Sequence, residues 1–99
     1  MKKSGTNEWQ IFYHPAVVKD DIPNIASAAR QRIKRSIENK LTANPALYGI
    51  PLRGTLRQYW KLRVGDWRVV FSINGPRVLI LIIAHRRQVY KMAERRKSR

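Results

Sequence analysis

Cysteine is absent from this 99-residue chain. Its absence excludes disulfides, a thiolate nucleophile and cysteine-ligated zinc, and it suits a reducing compartment, so a cytoplasmic location is expected. Acidic residues are scarce as well, six Asp and Glu against 21 Lys and Arg. So few carboxylates, scattered along the chain, leave no pair for acid–base work. Histidine occurs only as His14 and His85, too little to build a metal site, and no metal is expected. No phosphate-binding glycine loop or nucleophile elbow is present, and no cofactor is expected. The longest apolar run, Val78 to Ala84, falls far short of the roughly 20 residues a membrane helix needs. A membrane span is therefore not expected. The opening MKKSGTNEWQ is basic but has no apolar run behind it, so it does not read as a signal peptide.

What the chain has in excess is positive charge, +15 overall with a pI near 11.4. A compact domain this cationic repels itself, and an anionic partner offsets that cost. The partner classes are nucleic acid, an acidic protein or an anionic membrane surface. The hydrophobic share of 43% suffices for one core, so residues 1–99 read as a single domain. The charge is uneven. From Arg53 onward, 13 Lys or Arg face only Asp66 and Glu94.

The segment Glu8 to Tyr13 is aromatic and β-prone and reads as a first strand. His14-Pro15 opens a brief helix through about Asp21. Pro23 breaks it, and Asn24 is the expected N-cap of a longer helix. In that helix Ile25, Ala29, Ile33, Ile37 and Leu41 recur every four residues as an apolar stripe. Arg30, Arg32, Lys34, Arg35 and Lys40 mostly avoid the stripe, as a solvated face does. Asn44-Pro45 ends the helix, and Tyr48 to Gly54 reads as a loop.

Three strand-like runs follow, Arg57 to Val64, Trp67 to Ile73 and Arg77 to Ala84. Gly65-Asp66 fits a two-residue hairpin turn, and Asn74-Gly75-Pro76 supplies the next turn. The third run is apolar after Arg77, as expected of a strand covered on both faces. About residues 88–99 form a basic terminal segment, either a final helix or frayed. Two helices followed by an antiparallel meander give an α+β fold, a small antiparallel sheet of about four strands with two N-terminal helices on one face.

A two-residue turn at Gly65-Asp66 fixes the parity of the hairpin. Val64, Leu62 and Trp60 share the core face with Trp67, Val69 and Phe71. The other face carries Arg63 opposite Arg68, Lys61 opposite Val70 and Tyr59 opposite Ser72. Like charges directly across a ladder are unfavourable. Lys61, Arg63 and Arg68 therefore form either an anion-binding patch or a solvated face with splayed side chains. His85-Arg86-Arg87 leaves the third strand near Arg63 and Arg68, and Tyr90 follows, so these residues are expected to surround one concavity. The plainer readings are a strand-end histidine bonded to backbone and a tyrosine anchoring the terminal segment.

What remains possible is chemistry on a phosphate by cations, one tyrosine and one histidine. RNA permits this because its 2′-hydroxyl is a built-in nucleophile. The protein has only to align it, take its proton, neutralise the phosphorane and protonate the leaving 5′-oxygen.

The runs PLRGTLRQYWKLRVGDWRVVFSI and VLILIIAHRRQVYK, after YHPAVVKDDIPNIASAARQRIKRSIENKL, resemble the RelE/ParE superfamily of toxins from type II toxin–antitoxin modules. The resemblance spans about residues 9 to 92. It implies a small antiparallel sheet with a concave basic face, and a cognate antitoxin as partner. RelE-type members cut mRNA in the ribosomal A site without metal, leaving a 2′,3′-cyclic phosphate. By that resemblance Tyr90 is the general base, with His85 as its competitor. Arg68, Lys61 and Arg63 hold the scissile phosphate, Arg87 adds a phosphate contact, and Arg86 stabilises charge or protonates the leaving group. ParE-type members share the fold but poison DNA gyrase. A non-catalytic RNA-binding module is the third reading, one that leaves the ordered motifs unexplained.

Overall fold

The computed structural model describes residues 9–98, so Glu8 and the basic residues before it lie outside the described range. Strands β1 (Gln10–Tyr13), β2 (Ile50–Pro51), β3 (Trp60–Val64), β4 (Trp67–Asn74) and β5 (Arg77–His85) form one sheet in the order β1-β5-β4-β3-β2. The α+β class is as expected, but the sheet has five strands and is mixed. β1 pairs in parallel with β5, Gln10 opposite Arg77 and Tyr13 opposite Ile80. A parallel pair needs a long crossover, and here the helices together with the β2–β4 meander supply it. The additional strand β2 lies within the expected loop. Its two residues include Pro51, and a proline is tolerated there because β2 is an edge.

The hairpin has the predicted parity. Val64 faces Trp67, Leu62 faces Val69, Trp60 faces Phe71 and Arg63 faces Arg68. Gly65 has φ 61°, which only glycine adopts without strain. The expected Tyr59–Ser72 pair does not form. Tyr59 donates its N–H to the Leu56 carbonyl and accepts from the Leu52 N–H, so it is spent on the preceding turn.

The first helical segment begins at Pro15, where His14 Nδ1 accepts the Ala16 N–H at 3.0 Å. It continues as a π-helical turn (Val17–Asp21) and a 3-10 turn (Ile22–Asn24). Asn24 belongs to that turn and its amide donates to the Asp20 carbonyl, so it is not the N-cap expected of it. Ile25 is extended, and α1 (Ser27–Ser36) starts after Ala26. A widened π turn (Ile37–Leu41) prolongs α1. A four-residue repeat drifts by about 40° per step on a helix of 3.6 residues per turn. The wider turn offsets that drift and keeps Ile33, Ile37 and Leu41 all buried. Asn44 then caps the short α2 (Pro45–Tyr48), its Oδ1 accepting the Leu47 N–H.

The sheet buries both faces. Against the N-terminal helices lie Leu62, Val64, Val69, Phe71, Val78, Ile80 and Ile83, with Trp60 and Trp67 half-buried at the margin. The opposite face, expected to be open, is partly covered by α3 (Val89–Arg96). Val89 and Ala93, four residues apart on one helix side, pack with Leu56 on Val70, Leu81, Ile82 and Ala84. A bulge opposite Val70 and Phe71 leaves Leu81 unpaired in β5. This lets Leu81 and Ile82 both join the second core.

Beyond Ile80, β5 has no strand on its outer edge, and an ion pair takes that place. Asp21 Oδ2 accepts the Ile83 N–H at 3.0 Å, while Arg96 Nη1 donates to the Leu81 carbonyl at 3.2 Å. Arg96 also grips Asp21 through two bonds of 2.6 and 3.1 Å, and both side chains are buried. The helices from the two ends of the chain thus meet around the sheet edge.

Candidate active site

Lys61 lies between Trp60 and Leu62, which turn toward the helices, so strand alternation sends it to the opposite face beside Val70. Val89, fully buried, anchors the first turn of α3 on that same face and brings in Tyr90. Lys61 Nζ donates to Tyr90 Oη at 2.8 Å and stands 5.4 Å from the ring centroid. Tyr90 remains 39% exposed, so a substrate can reach its oxygen. The bond is charge-assisted, an ammonium donating to a phenolic oxygen. A cation and an ionisable hydroxyl from two distant segments are thus joined directly.

Arg63 is exposed on the same face, two residues along β3. Its cross-strand neighbour Arg68 behaves differently from expectation. Arg68 is only 7% exposed, and its Nη1 donates to the carbonyls of Gly65 and Trp67 at 2.9 and 2.8 Å. Turning back onto the hairpin removes the like-charge conflict with Arg63 and satisfies two turn carbonyls. Arg68 is therefore a brace of the turn, with Nη1 already occupied.

His85 is not in the concavity expected for it. It pairs with Trp67, and the two rings meet edge to face at 5.9 Å and 77°. Trp67 packs on the helix side, so His85 and Tyr90 are on opposite faces of the sheet. His85 Nδ1 accepts the Arg87 N–H at 3.3 Å, the strand-end backbone bond that was the plainer reading. It lines a cleft with Asp20, Asn24, Gln88 and Met92. Arg86 bonds through its N–H to the Asp66 carbonyl, and its side chain stands 3.8 Å from the Asp66 carboxylate. Arg87 is exposed. The structure thus assembles Lys61, Arg63 and Tyr90, puts Arg68 and Arg86 at the hairpin turn, and sends His85 to the other side.

Two arrangements have no counterpart in the sequence reading. The Asp21–Arg96 pair is one; no local pattern connects residues so far apart. The other is Arg32, whose guanidinium lies against the hairpin glycine, so that a Cβ on Gly65 would be 2.9 Å from Nη1. Among the described residues, no three His, Cys, Asp or Glu side chains are grouped to hold a metal, and no helix is long and apolar enough to cross a membrane.

Residues 7–90 match the family described as ParE toxin of type II toxin–antitoxin system, parDE. Toxin RelE3 of Methanocaldococcus jannaschii is 26% identical over 84 residues, 82% of this chain and 94% of that protein. In fold, the chain is similar to the RelBE2 toxin–antitoxin complex of Mycobacterium tuberculosis, with TM-score 0.72, 20% identity, and 78% and 90% of the two chains covered. It is also similar to free E. coli toxin RelE carrying two substitutions, with TM-score 0.67, 19% identity, and 89% and 96% covered. With the family match spanning most of the chain and the fold shared with these toxins, this protein belongs to the ParE toxin family of type II toxin–antitoxin systems, within the RelE/ParE superfamily.

Proposed function

We propose that this toxin is an endoribonuclease that cuts mRNA in the ribosomal A site and is held inactive by a cognate antitoxin. The observation that carries the reading is the 2.8 Å bond between Lys61 Nζ and Tyr90 Oη. The Tyr90 phenolate takes the proton of the RNA 2′-hydroxyl, and the 2′-oxygen attacks the adjacent phosphorus. The bond from phosphorus to the 5′-oxygen breaks, and a 2′,3′-cyclic phosphate remains. Lys61 supplies the proton to the leaving 5′-oxygen, a task unsuited to Arg86 because a guanidinium keeps its proton in proteins. Transfer of the captured proton from Tyr90 back to Lys61 along their hydrogen bond restores the pair. Arg63 neutralises the phosphorane, Arg87 adds a phosphate contact, and Arg68 and Arg86 keep positive charge at the turn. His85, on the far face, has no part in the proton transfers. A basic toxin calls for an antitoxin with an acidic or amphipathic segment, and the M. tuberculosis relative is a toxin–antitoxin complex.

Single-turnover cleavage of ribosome-bound mRNA tests the reading, with Tyr90→Phe as the decisive variant. The family match favours one competitor, a ParE-like gyrase poison. Intact mRNA together with DNA breaks after induction would establish that competitor and remove the nuclease.

A further inference from the structure

The two-residue turn between β3 and β4 gathers arginines from four elements. Arg63 is the penultimate residue of β3, and Arg68 braces the turn carbonyls from β4. Arg86 reaches Asp66 from the segment after β5. Arg32 comes from α1, across the helix side of the sheet, and its guanidinium lies against Gly65, so a side chain at position 65 would have to push it aside. Asp66, itself largely exposed, stands beside Arg86 alone. Among the described residues, Arg32 has no carboxylate within salt-bridge distance. One turn further along α1 comes Arg35, and a shallow groove joins Arg32, Arg35, Ser36, Asn39 and Lys40. The cationic track from Arg32 to Lys40 is about 12 Å long at 1.5 Å per residue. It lies on the helix side of the sheet, opposite Lys61 and Tyr90, with Arg32 at the hairpin turn.

Arg32, held against the hairpin backbone with no acid beside it, is poised for an external anion. Arg offers phosphate a planar fork of donors. Three cations along one groove match a polyanion better than a single small ion.

We propose that Arg32 and Arg35, with Arg86 at the tip, form a second RNA-backbone site that grips a paired RNA segment, while the strand to be cut passes to Lys61 and Tyr90. The proposal rests on the RNA reading of the toxin, and its substrate class is a single strand flanked by structured RNA.

The test uses the full chain and a labelled RNA duplex, with affinity measured across a series of salt concentrations. Arg32→Gln combined with Arg35→Gln should lower the slope of log affinity against log salt by roughly one per arginine. Both residues are exposed, and a thermal melt confirms that the variant is folded. Arg30→Gln combined with Lys34→Gln removes the same charge from another side of α1, where those residues border an apolar groove. That control should keep most of the wild-type slope. Equal losses in both variants would mean diffuse attraction and overturn the site. Tighter binding of the same sequence as a DNA duplex would also overturn it. So would a loss of antitoxin binding with duplex affinity intact. Tyr90→Phe separates the two proposals, because it should bind the duplex normally. If no RNA is cut even by the wild type while the Arg32 and Arg35 effect persists, the docking site stands and the nuclease reading falls. If cutting is present and the slope is unchanged, the docking site alone falls.

Discussion

Arg96, in the last helix, holds Asp21, in the first helical segment, through two hydrogen bonds that close around the open edge of β5. The pair also satisfies the Leu81 carbonyl and the Ile83 N–H, so four buried polar groups depend on it. Removing one partner of a buried pair typically costs about 3–5 kcal/mol, because the other charge stays behind. Arg96→Met should lose stability on that scale in urea unfolding. Asp21→Asn together with Arg96→Met should lose less than the two single changes summed. Strict additivity would show that the two residues act independently.

Tyr90→Phe keeps the ring and removes the hydroxyl. Ribosome-bound mRNA cleavage should fall by roughly 100- to 10,000-fold, the usual worth of acid–base catalysis, with ribosome binding retained. Lys61→Met should fall within the same range, since either change breaks the proton-sharing pair. Near-normal turnover in either variant would refute the assignment.

Much of this arrangement is legible in the residues themselves. The Gly65-Asp66 turn sets the hairpin parity, so Lys61 and Arg63 fall on one face and Trp60 and Leu62 on the other. An unbroken ladder counted from the Asn74–Arg77 pair would put Ala84 opposite Trp67 and His85 on the other face; the bulge at Leu81 brings His85 to Trp67, and no local pattern announces it. The covering by α3 is harder to read, because Val89 and Ala93 are a thin stripe within a basic segment. The parallel pairing of β1 with β5 and the Asp21–Arg96 pair are set by tertiary packing and leave no local pattern.

His85→Gln should leave cleavage within a few-fold of wild type, an outcome read in the same single-turnover assay. The ring contacts Trp67 on the helix side of the sheet and does not touch Lys61 or Tyr90. A loss matching that of Tyr90→Phe would bring the histidine into the reaction.

Arg68→Ala should act mainly on stability. Two charge-assisted hydrogen bonds to the turn are lost, each worth about 1.5–3 kcal/mol at most. The melting temperature should drop, and hydrogen exchange should accelerate at Gly65 to Trp67. Unchanged stability with abolished RNA binding would make Arg68 a direct phosphate ligand.

Glu94 carries a pH prediction. The hydrogen bond from Thr55, then that from Lys97, holds its carboxyl below the ordinary value of 4.5. A depressed folded value means that the contact contributes stability above the unfolded value and loses it as pH falls through the folded one. Amide exchange at the end of α3 should therefore accelerate on acidification below about pH 4.5, and Glu94→Gln should flatten that dependence. An identical acid profile in the variant would rule out this tether.

The position of β5 has a consequence for synthesis. The last strand to leave the ribosome is an inner strand, flanked by β1 and β4. Until it emerges, Gln10 to Tyr13 have no partner strand, and Asp21 waits longer still, for Arg96. The nascent chain therefore cannot assemble its sheet piecemeal, and closing such distant contacts is intrinsically slow. Tyr90, translated five residues after β5 ends, reaches Lys61 only once β5 and the start of α3 have been made. On the nuclease reading, the reactive pair therefore forms only after β5 has been made, which leaves a newly made antitoxin time to be present when the sheet closes.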